Sequence, residues 1–173
     1  KDNNIIEKAR FLSTQARDNS PHYEHSEIGY NYRMSNVCAA IGIGQLEVLK
    51  DRVKRRRYIH DYYKENLSSL KEIHFLEDLP GFYSNRWLTT IVLSKNSVIN
   101  REDIRLSLLK ENIESRPLWK PMHLQPIFKK YQAYVTGIGE DLFNRGLCLP
   151  SGSNMDENDL KRVVNNIRNL YEI

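Results

Sequence analysis

His25-Ser26-Glu27-Ile28-Gly29-Tyr30-Asn31-Tyr32-Arg33-Met34-Ser35 places two tyrosines, an amide, a guanidinium and a glycine directly ahead of a run of small residues. Ordering such a polar segment costs about 1–2 kcal/mol per residue in backbone entropy, so tertiary contacts must hold it. It is therefore either a packing device or a site. Downstream, Ser35 is positioned to cap a helix through about Leu49, with Val37, Ala40, Ile41, Gly44 and Val48 as its expected buried face. Gly42 and Gly44 each cost about 1 kcal/mol of helix propensity relative to alanine. That cost points to a close helix–helix or subunit contact.

Upstream, Gln15–Gly29 is polar and irregular, with Asp18-Asn19-Ser20-Pro21 as a breaker cluster and His22, Tyr23 and His25 following. A long His- and Tyr-bearing loop inside a compact protein is more often functional than filler. Before it, Ile5, Ile6, Ala9, Phe11 and Leu12 give a helical stripe, ending near Thr14 and capped by Asn3 or Asn4.

Beyond an expected break at Lys50-Asp51, the positions Val53, Arg56, Ile59 or His60, Tyr63, Leu67 and Leu70 continue an apolar seam in three- and four-residue steps. Its basic run Arg52-Val53-Lys54-Arg55-Arg56-Arg57 reads as a solvated face with aliphatic stems on apolar neighbours. Texture then changes. Ile73–Leu76 and Trp87–Leu93 are β-branched and aromatic, with a Pro80-Gly81 turn between them, and read as strands. Asn100 caps a helix over about 101–111, and Ile113–Leu118 should return to the sheet. A helical turn near 140–144, a short strand Gly146–Pro150 and a final helix complete the chain. Ser153 and Asp156 suggest a capping box for that helix, whose face is Leu160, Val163, Val164, Ile167 and Leu170. The expected fold class is α+β: N-terminal helices and a long loop, then helices on a three- to four-stranded sheet.

The 173 residues carry 40% hydrophobic content, enough for a packed core. The sequence pI is about 9.0, yet 26 bases against 22 acids leave a formal charge of only +4, with both signs interspersed. That balance argues against a dedicated nucleic-acid binder. Cys38 and Cys148 lie far apart in apolar runs without metal-ligand spacing, which suggests buried free thiols and a reducing cytoplasm. No apolar run approaches the ~20 residues that span a bilayer and no metal-ligand cluster stands out in the sequence, so neither membrane nor metal is expected as a partner. Nucleotide-phosphate loops, nucleophile elbows and helical zinc motifs are absent from the sequence. Chemistry-bearing residues concentrate in two loops, His25–Arg33 and Arg116–Gln125.

Three motifs in these regions carry a resemblance. Glu27-Ile28-Gly29-Tyr30-Asn31-Tyr32-Arg33-Met34-Ser35-Asn36 with Ala39-Ala40-Ile41-Gly42 and Gln45-Leu46, then Arg116-Pro117-Leu118-Trp119-Lys120-Pro121-Met122-His123, then Gly146–Gly152, occur in that order. Together they resemble the DegT/DnrJ/StrS group of pyridoxal-phosphate-dependent sugar-nucleotide aminotransferases. The resemblance implies the C-terminal portion of a fold-type I enzyme whose complete fold is α/β. Residues 1–49 would end the large cofactor-binding domain, and 50–173 would form the small α+β domain.

It also implies a homodimer that moves an amino group from an amino acid, glutamate being the expected donor, to a keto group on a nucleotide-linked sugar. The covalent (Schiff-base) lysine and the acid facing the cofactor nitrogen are expected upstream of Lys1, so no catalytic residue is assigned here and the chain alone is expected to be inactive. Asn31 would reach the cofactor phosphate across the dimer. Arg33 would bind the donor carboxylate or hold the loop. Tyr30 would flank the site, and Arg116, Trp119 and His123 would approach the nucleotide-sugar. Two other readings remain open: a nucleic-acid-binding module using the basic helix 52–57, and a catalytically inactive family member.

Overall fold

A computed structural model describes residues 2–171. They form five α-helices, two short 3-10 turns and one four-stranded antiparallel sheet in the order β1-β2-β4-β3. By its contacts the chain divides into two compact units, residues 1–48 and 49–173.

In the first unit, helix α1 spans Asn3–Ser13 and is capped by Asp2, whose carboxylate accepts from the Asn4 amide at 3.0 Å. The expected caps, Asn3 and Asn4, are the first helical residues instead. The chain then doubles back on the end of this helix. The Gln15 amide donates to the Tyr30 carbonyl at 3.0 Å, Tyr30 to Leu12 at 2.9 Å, and Tyr32 to Ser13 at 3.0 Å. Ala16 lies fully buried in the fold-back. Gln15 and Ala16 both adopt the left-handed region (φ 68° and 49°), which brings their backbone against Gly29. A Cβ on Gly29 would overlap the Ala16 nitrogen and the Gln15 carbonyl carbon. The glycine is required by close approach.

Helix α2 runs unbroken from Asn36 to Leu67, so the expected break at Lys50-Asp51 does not occur. Neither residue is a helix breaker of the glycine or proline kind, and the backbone hydrogen-bond ladder continues through them. Val37, Ile41 and Val48, expected inside, are exposed, as is Cys38. A Cβ on Gly42 or Gly44 would meet nothing within 4 Å. The close approach these glycines suggest is made by nothing among the described residues.

The second unit is built on β2, Thr89–Leu93, whose side chains alternate inward at Thr89, Ile91 and Leu93. It pairs with β1 (Ile73–Phe75) on one side and β4 (Gly146–Leu149) on the other. Strand β3 is only Arg116–Pro117, shorter than expected, and pairs with β4. Helix α3 (Arg101–Lys110) and α5 (Glu157–Asn169) start with capping boxes, Asn100 with Asp103 and Asp156 with Asp159. The α5 box therefore uses Asp159 as the reciprocal partner of Asp156, with Ser153 outside it. Ile59, Tyr63 and Leu67 of α2 pack with Ile104, Leu108, Leu160, Val163 and Ile167 against the sheet. The Tyr63 hydroxyl donates to the Pro150 carbonyl at 2.9 Å, and burial pushes its pKa up. The α+β expectation holds, with four strands.

The basic run is a solvated face only in part: Arg52 and Lys54 are exposed, whereas Arg55, Arg56 and Arg57 are half-buried and bonded to protein groups. Arg55 donates to the Met155 carbonyl at 2.6 Å and pairs with Glu157 at 3.3 Å. Arg56 donates to the Trp87 carbonyl, and Arg57 to the Ser84 carbonyl while pairing with Asp78 at 3.3 Å. Arginine's planar fork allows one side chain to tie two such groups at once.

Candidate active-site loops

The fold-back of the first unit presents Tyr30, Asn31, Tyr32 and Arg33 as a short exposed ridge. Asn31 bridges Thr14 through its backbone, and Tyr30 stacks on Tyr32 with ring centroids 5.2 Å apart. The His25 Nδ1 lies 3.0 Å from the Gln15 carbonyl, and Asp18 accepts from the Ser26 amide at 2.7 Å and from its hydroxyl at 2.9 Å. Backbone and flanking side chains thus fix the loop, while the Asn31 amide and Arg33 guanidinium have no partner among the described residues. An amide and a guanidinium are the donor types that a phosphate or carboxylate accepts from. These residues fit the phosphate end of a pyridoxal-phosphate-type ligand.

In the second unit, Arg116 and Trp119 line one cavity of about 670 Å³, with Trp87, Lys120, Phe143, Cys148 and Ser151 among the other walls. Trp119 stacks on Trp87 at 5.8 Å, with the ring planes 29° apart. Arg116 is tied at the rim to Glu114, 2.6 Å away and equally exposed. Cys148 is buried, and desolvation raises its thiol pKa. The floor is organised by Ser151, whose hydroxyl accepts from the Thr89 amide and donates to the Leu149 carbonyl, each at 2.8 Å.

His123 does not share that cavity. It lines a neighbouring bowl of about 490 Å³ with Met122, Phe128, Tyr131 and Tyr134. Its Nε2 lies 2.6 Å from Glu140 in the first turn of α4 (Ile138–Arg145), both side chains about three-quarters buried. The Glu140 carboxylate is held below its usual range, first by a backbone hydrogen bond and second by His123.

The sequence motif nominated Trp119 and His123 but missed their partners. Trp87 read as the first residue of a strand, whereas β2 begins at Thr89 and leaves Trp87 in the preceding loop. Glu140 carried no sequence signal beyond its place in a short helical turn. The basic run, a candidate nucleic-acid face, spends three of its arginines on protein groups.

A family model, the DegT/DnrJ/EryC1/StrS aminotransferase family, matches residues 1–168. The chain belongs to this family. It is 50% identical over 174 residues to EpsN of Bacillus subtilis (strain 168), whose name assigns it provisionally to the pyridoxal phosphate-dependent aminotransferases; the match covers 98% of this chain and 44% of EpsN. It is 37% identical over 150 residues to the GDP-perosamine synthase of Escherichia coli O157:H7, covering 86% of this chain and 40% of that enzyme. The fold matches the crystal structure of the aminotransferase TlmJ from Streptoalloteichus hindustanus with a TM-score of 0.83 at 23% identity, over 98% of this chain and 45% of TlmJ. The chain thus spans less than half the length of the curated relatives it matches. No helix among the described residues is long and apolar enough to cross a membrane.

Proposed function

We propose that this chain is the C-terminal portion of a pyridoxal-phosphate-dependent aminotransferase that transfers an amino group from an amino acid, with glutamate the favoured donor, to a keto group on a nucleotide-linked sugar. The observation that carries the reading is the ridge of residues 30–33, where the backbone is fixed and two donors stay free within a chain matched to the family almost throughout. Asn31 would hold the cofactor phosphate of a partner subunit in a homodimer, a neutral donor beside a dianion. Arg33 would take the donor's carboxylate by its two-pronged fork. When bound, the cofactor supplies the electron sink for amino transfer. Residues 1–49 would close the large domain, and 50–173 would form the small domain.

On the second unit, Arg116 would meet the diphosphate of the sugar substrate, Trp119 would stack on its planar part, and His123 would accept or donate at a hydroxyl. Tyr30, on the first unit, would flank the substrate beside Asn31 and Arg33. Family membership supports a cytoplasmic enzyme.

The test uses the complete protein loaded with pyridoxal phosphate. Glutamate and nucleotide-linked keto sugars are supplied, and the amino sugar is sought by mass spectrometry. Formation of the amino sugar with loss of the keto form is expected. Failure across such substrates, with cofactor bound, overturns the reading and favours an inactive family member.

A further inference from the structure

Trp87 sits in a loop between β1 and β2, yet both of its backbone groups are tied. Its amide donates to the Asn85 side chain at 3.1 Å, and its carbonyl accepts from Arg56. The preceding residue, Arg86, adopts φ 49°, a region that long side chains rarely occupy. What keeps it there is Asp78: Arg86 pairs with it at 2.8 Å from one side and Arg57 at 3.3 Å from the other. Arg86 also donates to the Leu76 carbonyl at 2.7 Å. A largely buried three-residue ion cluster therefore fixes the backbone of a tryptophan that is itself 57% exposed.

Holding an exposed indole this firmly brings no burial, but it does set the Trp87 ring against Trp119 along the wall of the 670 Å³ cavity. Lys120 lines the same cavity and has no ion-pair partner among the described residues. An indole wall beside a free cation suits a planar aromatic ring that carries an anionic group. We propose that Trp87 is a ligand-contacting residue of this cavity, that Asp78 with Arg57 and Arg86 positions it, and that the ligand is a nucleoside diphosphate. The ring lies against the paired indoles and the diphosphate reaches Lys120 as well as Arg116, which lines the same cavity. The ligand class rests on the aminotransferase reading; the role of Trp87 rests on the geometry of this unit.

Trp87 and Trp119 are the two tryptophans of the chain, so its indole fluorescence reports this wall. Titration of the 173-residue chain with UDP, GDP and inorganic pyrophosphate is the test. At least one nucleotide should quench the emission and pyrophosphate should not. Trp87→Ala should raise the nucleotide Kd by about tenfold, a 1.4 kcal/mol effect, and Trp87→Phe should recover most of it. Asp78→Asn should weaken binding in parallel with Trp87→Ala and diminish the near-UV circular dichroism of the indole pair, while the far-UV spectrum stays that of the parent.

Absence of quenching by both nucleotides, pyrophosphate binding as tightly as nucleotide, or a Trp87→Ala Kd within about twofold of the parent overturns the proposal. Parent-like binding and near-UV signal in Asp78→Asn overturns the positioning role. Nucleotide binding here, with no amino transfer by the complete protein, would sink the aminotransferase reading alone. Transfer with an unchanged nucleotide Kd in Trp87→Ala would sink the present inference alone.

Discussion

Glu140 accepts a hydrogen bond from Nε2 of His123 across 2.6 Å, joining the segment after β3 to the first turn of α4. The carboxylate is held below its usual range, its own backbone hydrogen bond being the largest cause and His123 the next. A group whose folded pKa is depressed contributes stability above its unfolded value, about 4.3 for a glutamate. That contribution is lost as pH falls through the folded value. Glu140→Gln should therefore lower the melting temperature at neutral pH and converge with the parent in acid, once the carboxylate is protonated in both folded and unfolded states. Parallel curves for the two proteins across the whole range would remove the coupling.

Ser151 ties the floor of the cavity to β2 and β4. Its buried hydroxyl satisfies the Thr89 amide and the Leu149 carbonyl, the terminal pair of the β2–β4 register. Ser151→Ala leaves a buried N–H without a partner, which costs about 1–3 kcal/mol. Urea denaturation of the variant should show a lower midpoint with unchanged slope. Tyr63→Phe, which frees only the Pro150 carbonyl, should cost less, about 1 kcal/mol.

How much of this was legible beforehand depended on the range of the interactions. The interior of α5 and the Asn100 cap are local patterns, and the structure keeps them where periodicity and capping chemistry put them. The exposed apolar positions of α2, from Val37 to Val48, carried an honest hydrophobic signal. Periodicity says that a face is apolar but not which surface covers it, so they read as core. The arginines failed for the opposite reason. A basic run looks alike whether its guanidiniums meet water or a carbonyl distant in sequence, as Arg55 does with Met155. The site followed the same division: motif residues such as Trp119 and His123 were visible, whereas Trp87 and Glu140 become partners only through long-range folding.

Gly29→Ala should unseat the fold-back of the first unit. The added Cβ would overlap main-chain atoms of Gln15 and Ala16, which cannot swing aside as a flexible side chain could. Overpacking of this kind costs about 1–3 kcal/mol. Hydrogen exchange is the direct measure: the amides of Tyr30 and Tyr32, bonded to Leu12 and Ser13, should lose protection while those of β2 and β4 keep it. Unaltered protection at Tyr30 and Tyr32 would mean that the loop is held by something other than this close approach.

The basic helix allows a decision against nucleic acid. Arg55, Arg56 and Arg57 are committed to Met155, Trp87 and Asp78, so using them on phosphates would break contacts that hold the loops of the second unit. Binding of a random oligonucleotide should be weak and shallow in its salt dependence. A protein that neutralises six or more phosphates loses about a thousandfold or more in affinity over a modest rise in salt. A slope of that size would restore the nucleic-acid reading.

Asn31→Ala tests the proposed cofactor contact in isolation, because the position is fixed by its backbone. The bridge to Thr14 and the neighbouring bonds from Tyr30 and Tyr32 do not involve the Asn31 side chain, so the truncated loop should keep its path. Losing one hydrogen bond to a charged phosphate is worth about 1.5–3 kcal/mol, which corresponds to roughly ten- to hundredfold weaker retention. Equilibrium dialysis of pyridoxal phosphate from the complete protein measures it. Arg33→Met should leave that retention closer to the parent and instead raise the concentration of amino-acid donor needed for transfer, since its fork is assigned to a carboxylate. If the two variants exchange these effects, Arg33 is the phosphate ligand and Asn31 the loop residue. If neither changes retention or donor dependence, the exposed ridge is not the cofactor face.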